Sequence, residues 1–334
     1  MSRGAALTGA LLITLGTPAT WPLALAAFML RGGIVLVTLP IVVLPTPVGL
    51  GNVLAPAITS VALGSVPIAV LVVSVTAVVA ALAWLLLGGW MAAALEGEGA
   101  RIVARDEEAT TPRGPAATAA PTIDRGDARV AARILGARLV AYVPLGLALA
   151  WGSLRFVSAS YDELTNPSDV TTPIVLRVVR ASPEAVLAIV LAWMIGEIVG
   201  AVAARRIVLA GDRVVAALRG AVVTSLRHPL AVLARFWLPT LVLVVVLAPS
   251  ALAAASAWTA ARAVLVDRAD PLWVVAAVAL FVVLWVIGLL LAAVVCAWRA
   301  AVWTVAEIVG HGTFGGSSDR RPGDWRPDQS SANL

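Results

Sequence analysis

Two stretches of this chain, Val66 to Met91 and Pro271 to Trp298, contain no charged residue. Each exceeds the roughly 20 apolar residues that carry an α-helix across a ~30 Å hydrocarbon core, and a helix apolar on every side has no stable place at a water-exposed surface. Inside a bilayer a helix satisfies its own backbone hydrogen bonds, so both stretches read as spanning helices. Four further apolar runs show the same pattern: about Trp21 to Leu44, Leu135 to Val157, Ser182 to Arg206 and Val232 to Trp258. The expected fold is an all-α integral membrane protein, with six transmembrane helices in three hairpins and interfacial amphipathic helices between them. A mean hydropathy of +0.96 with only 13% charged residues puts the whole chain, and not just these runs, in the membrane class.

Changes in composition divide the chain. Residues 1–20 read as an N-terminal interfacial segment, because Arg3 and the apolar run after it lack a small-residue cleavage pattern, and Pro18 and Pro22 interrupt the chain before the next apolar run. Residues 21–94 form the first hairpin. A rival parse that starts a span at Ala5 puts Arg31 in a loop and leaves Ile34 to Leu44 too short to cross. Residues 45 to 65, uncharged and broken by Pro and Gly, read as an outer loop. Residues 95–129, rich in charge, Pro, Ala and Thr, read as a flexible cytoplasmic linker, and 130–204 as the second hairpin. Residues 205–231 read as a cytoplasmic interfacial helix, with Val214, Val215, Leu218, Val222 and Leu226 on an apolar stripe and Asp212, Arg213, Arg219 and Arg227 left polar. Residues 232–308 form the third hairpin and 309–334 a disordered cytoplasmic tail.

Arginine sets the orientation. Leaving out Arg31, which lies within a span, 18 arginines fall on one side of this topology and five on the other, so both termini are expected in the cytoplasm. All 24 basic residues are arginine, and Ala and Val dominate the apolar positions, the composition of a GC-rich bacterial genome; the expected location is a bacterial cell (inner) membrane. The net charge of +5 is then explained by topology and by anionic headgroups at the cytoplasmic face. No aromatic-plus-basic motif accompanies it, so no nucleic-acid partner is expected.

The residues available also restrict the chemistry. Without lysine there is no Schiff-base or Walker-type phosphate site; one Cys and two His leave no metal site and no internal disulfide. His-Glu-x-x-His, Gly-x-Ser-x-Gly and Gly-rich phosphate loops are missing from the sequence, so no catalytic residue and no cofactor are expected. The outer segment after the third span groups Tyr161, Asp162, Glu163, Asn166 and Asp169; its spacing does not match a calcium loop, and solvated polar surface is the simpler reading.

One acid lies within a long apolar run: Glu197, in SPEAVLAIVLAWMIGEIVGAVAARR. A carboxylate facing lipid is costly, so it should point into the bundle and have a partner. Arg31 and Arg138 are the candidates. Glu197 is eight residues, about 12 Å, before Arg205, and Arg31 is ten residues, about 15 Å, after Trp21, which puts them at similar depth. Around the acid, Ala188, Ala192, Gly196, Gly200 and Ala204 recur every four residues as a small-residue ridge that admits a neighbouring helix, whether from this chain, a protein partner or a second copy in a homo-oligomer. Two functions are consistent with these features. The leading one is a non-enzymatic packing, scaffold or accessory component; the alternative is a permease for a small solute or ion that uses Glu197. A dry helix contact at Glu197 favours the first, and a polar cavity reaching it favours the second.

Overall fold

The computed structural model describes residues 3–38, 60, 64–65, 68–110, 128–165, 174–266 and 271–314. Among them the regular structure is entirely helical, with no strand. Six helical stretches are long and apolar enough to cross a membrane: Thr20–Thr38, Ile68–Glu107, Val143–Glu163, Pro183–Ala210, Pro229–Val266 and Pro271–Val309. They fit a multi-pass membrane protein.

In chain order the helices are α1 (Arg3–Gly16), α2 (Thr20–Phe28), α3 (Ile34–Thr38), α4 (Ile68–Ala83), α5 (Gly89–Thr110), α6 (Ala128–Ala141), α7 (Val143–Thr165), α8 (Ile174–Ala181), α9 (Pro183–Ala210), α10 (Val214–Arg227), α11 (Pro229–Val266) and α12 (Pro271–Phe314). Single π turns, Met29–Gly33 and Trp84–Gly88, join α2 to α3 and α4 to α5. Such turns often occur at functional positions, because the widened ring redirects the side chains beyond it. At the first, Gly32 takes φ +100°, a left-handed backbone that glycine tolerates without a Cβ penalty.

The largest core lies where α9 meets α6 and α10, and is built from Ala137, Ala201, Ala203, Ala204, Ala217 and Ala221 around Ile134, Ile207 and Phe236. Alanines let the backbones approach closely, as membrane helices require when the lipid is as apolar as the protein. A second core packs Ala10 and Ile13 of α1 against Val103 of α5 and Ala301, Val302 and Val305 of α12. Trp298 Nε1 also donates to the Leu7 carbonyl at 3.2 Å, so α1 is fixed to α12 while Leu12 and Leu15 stay exposed. At the other extreme, α4 has no buried residue. Its apolar surface on all sides is what a lipid-facing helix presents.

The structure corrects several expectations. The linker expected over 95–129 is helical as far as Thr110, because Ala92, Ala93, Ala100, Val103 and Ala104 make a small apolar face that α5 buries. The third apolar span begins at Val143 rather than Leu135, with α6 a separate segment. Pro144, lacking the amide that would bond one turn back, marks that join. Tyr161, Asp162 and Glu163 occupy the end of α7 rather than a loop; Asn166 and Asp169 lie outside the described residues. Glu163 pairs with Arg177 of α8 at 3.0 Å. The apolar stripe expected on 205–231 is split: Val214 and Leu218 pack against the α9 core beside the buried Ala217 and Ala221, while Val215, Val222 and Leu226 are exposed. The 45–65 loop, apart from Ser60, Gly64 and Ser65, and the tail beyond Phe314 fall outside the described residues.

Candidate functional site

The two π turns set up the site. Gly88 lies against the chain at Leu30, where an added Cβ would stand 3.6 Å from the Leu30 carbonyl oxygen, so the break after α2 and the break before α5 are neighbours. At Gly33 a Cβ would fall 2.4 Å from the Phe28 ring, which restricts that position to glycine unless the ring moves. Arg31 leaves the chain between these constraints and reaches α5, where its Nη2 donates to Glu96.

Glu96 is the central acid. Its side chain is 6% exposed and takes three arginines: Arg31, Arg138 of α6 and Arg205 of α9. Arg138 grips it with two hydrogen bonds, Nη2 to Oε1 at 2.7 Å and Nε to Oε2 at 2.9 Å, the fork geometry that makes arginine the strong carboxylate partner. Arg205 is held on its other sides by the Ala300 carbonyl at 3.3 Å and Thr304 Oγ1 at 3.4 Å. Burial alone would push the Arg138 guanidinium toward its neutral form. The adjacent Glu96 carboxylate outweighs that and holds the arginine pKa above its ordinary value.

Glu197 lies beside this cluster with partners of its own. Arg299 of α12 donates from Nη2 to Oε2 at 2.6 Å, and the Tyr142 hydroxyl, at the join of α6 and α7, donates to Oε1. The guanidinium of Arg299 also stacks over Phe236, 5.8 Å from the ring centroid. The expected direct pair of Glu197 with Arg31 or Arg138 is therefore replaced. Both arginines spend their hydrogen bonds on Glu96.

All six charged groups line one cavity of about 310 Å³, together with Thr20, Phe28, Trp193, Cys296 and Trp303. Four guanidinium charges against two carboxylates leave two positive charges unbalanced. Arg31 and Arg299 are the most open, with side chains 27% and 19% exposed, and Arg138 Nη1 is buried without a hydrogen-bond partner. The unbalanced charge makes the cavity electropositive.

The small-residue ridge is used inside the chain. A Cβ on Gly196 would lie 2.7 Å from the Tyr142 ring, and one on Gly200 would lie 3.3 Å from Arg138 Nη1. Ala192 and Ala204 are buried and Ala188 is half-buried. The ridge thus brings α6 and α7 close enough for Arg138 and Tyr142 to reach the two carboxylates. Sequence reasoning missed Glu96, Arg205, Arg299 and Tyr142 as site residues. For Glu96 a signal existed: it falls on the same helical face as Ala92, Gly99 and Val103, a period hidden by the polar residues between them.

Among the described residues no three His, Cys, Asp or Glu side chains group as metal ligands. No protein-family model, curated protein or solved structure matches the chain.

Proposed function

We propose that this protein is a permease-type carrier of a bacterial cell membrane that binds an anion in the arginine-lined cavity. The observation that carries this reading is the charge imbalance of the cavity: Arg31, Arg138, Arg205 and Arg299 face only Glu96 and Glu197. Ionisable groups held inside a membrane bundle and lining a cavity mark substrate pathways, and a polar cavity reaching Glu197 is the feature that separates a carrier from a scaffold. The scaffold reading draws on the small-residue ridge, which this chain covers with its own α6 and α7.

In this proposal the three hairpins cross the bilayer with both termini and the arginine-rich segments in the cytoplasm. The exposed Arg213, at the N-terminal cap of α10, and Arg219 and Arg227 within it then meet anionic headgroups of the inner leaflet. The protein carries out no covalent chemistry. Its arginines select for negative charge, and Glu96 and Glu197 keep them apart and oriented while the cavity is empty of ligand.

Isothermal titration of the purified full chain with inorganic phosphate tests this reading. Saturable binding is expected, weakened about tenfold or more in Arg31→Gln and partly restored in Arg31→Lys, a loss equivalent to about 1.4 kcal/mol. Arg31 is suited to the test because Glu96 keeps Arg138 and Arg205 when it is removed. Absence of saturable binding, or equal binding by wild type and Arg31→Gln, overturns the proposal.

A further inference from the structure

A second cavity borders the first at Leu36. It is an apolar groove of about 270 Å³ between α3, α11 and α12, bordered by Leu36, Val37, Val244, Leu247, Trp285 and Leu289. Leu36 lines both volumes. On α12 the groove residue Leu289 and the cavity residue Cys296 are seven positions apart, about 10 Å, with Arg299 one turn further on. On α11 the groove runs from Val244 to Ala254, about 15 Å of helix. Trp285 closes one wall by donating from Nε1 to the Val37 carbonyl at 3.3 Å.

The two volumes together have a cationic end and an apolar end. From the shared border at Leu36 we infer that the anion bound here is the head of a single-chain amphiphile, with the acyl chain laid in the groove between α3, α11 and α12. This rests on the anion-binding reading above and narrows it to a lipid-like ligand. Charge complementarity fixes the orientation: the head meets Arg31 and Arg299, the two most open arginines, and the chain meets a wall with almost no polar surface. The orientation also suits a bilayer. In the proposed topology the charged cavity lies on the cytoplasmic side of the groove, with Leu289 of α12 deeper in the bilayer than Cys296 and Arg299, so the chain lies nearer the membrane centre than the head. A small inorganic anion would use the first cavity and leave the groove unused.

Native mass spectrometry of the full chain released from a maltoside detergent distinguishes the alternatives, using 1-palmitoyl lysophosphatidic acid, glycerol 3-phosphate and 1-palmitoyl lysophosphatidylcholine as probes. Lysophosphatidic acid is expected to bind at least tenfold tighter than glycerol 3-phosphate, which shares its head, and than lysophosphatidylcholine, which shares its chain. Ala251→Phe, which fills the groove at a half-buried wall position, should remove most of the lipid advantage and leave glycerol 3-phosphate binding unchanged. Arg31→Gln should weaken both anionic probes. Equal affinity for lysophosphatidic acid and glycerol 3-phosphate, or an Ala251→Phe protein that binds lipid like wild type, overturns the amphiphile and leaves the anion site standing. Failure of both anionic probes to bind a folded wild-type protein overturns both. A lipid-free dimer that Ala251→Phe dissociates would assign the groove to a second copy of the chain and also overturns the amphiphile. Should Ala251→Phe unfold, Ala248→Leu at the exposed lip of the same groove gives the same reading.

Discussion

Glu96 and Glu184 each hold an arginine at nearly the same distance, 2.7 Å to Arg138 and 2.8 Å to Arg155, but in opposite surroundings. The Glu96 side chain is 6% exposed and shares its two oxygens among three guanidinium groups. The Glu184 side chain, in the first turn of α9, is 44% exposed and its arginine 48%. Distance therefore does not rank these pairs. What differs is the fate of the partner: Arg155 can turn to water when its carboxylate is lost, whereas Arg138 and Arg205 are held in place by packed helices and cannot. Removing one member of a buried ion pair is costly chiefly because the other is left buried and uncompensated.

The sharpest test of that contrast is Glu96→Gln. It keeps the shape of the side chain and takes from two buried arginines and one half-exposed arginine the carboxylate that bonds them, so a loss of about 3–5 kcal/mol is expected. A large fall in the thermal midpoint of detergent-solubilised protein, with a lower yield of folded chain, checks it. A midpoint close to wild type would mean that water reaches these guanidinium groups and that the contrast with Glu184 is not one of burial.

The apolar spans are legible in the sequence because hydropathy averages well over long segments, and Glu197 is legible because an isolated acid breaks such an average. The same averaging hides Glu96. Its neighbours Glu98, Arg101 and Arg105 lower the hydropathy of the window, and α5 reads as a linker although the face carrying Ala92, Ala93, Ala100 and Val103 is packed. The Arg31 result has another cause. Counting residues along the helices puts Arg31 and Glu197 in one region, and they do line one cavity. It does not give the direction around the helix, and the left-handed residue Gly32 lies within a π turn that aims Arg31 at α5 instead of α9. Arg299 reads in the sequence as the end of an apolar run; since α12 continues to Phe314, it lies inside the helix and reaches Glu197.

A smaller effect, and a finer test, concerns which arginine Glu197 uses. Double-mutant cycles isolate a pairwise energy, typically about 0.5–3 kcal/mol for groups in direct contact. The cycle of Glu197→Gln with Arg299→Gln should show such coupling, the double mutant recovering part of the loss of the single mutants. The cycle of Glu197→Gln with Arg31→Gln should be close to additive, since Arg31 bonds Glu96. Thermal midpoints of the four proteins in each cycle give the answer. Stronger coupling to Arg31 than to Arg299 would restore the pairing expected from depth alone and place Arg299 outside the site.

The smallest expected effect is at Glu184. Exposed pairs gain little, because water screens the attraction and two long side chains lose freedom in holding one geometry. Glu184→Gln also gives up a favourable charge in the first turn of α9, a contribution that salt screens as well. The expected outcome is a thermal midpoint unchanged within error at physiological ionic strength, where the screening length is about 8 Å, with any difference seen only at low salt. Glu96→Gln should behave differently in the same titration, its deficit persisting as salt is raised, because Arg138 and Arg205, with side chains 7% and 3% exposed, are screened far less than a surface pair. If the two variants respond to salt alike, the interior cluster is wet, and the distinction drawn between the two ends of the bundle fails with it.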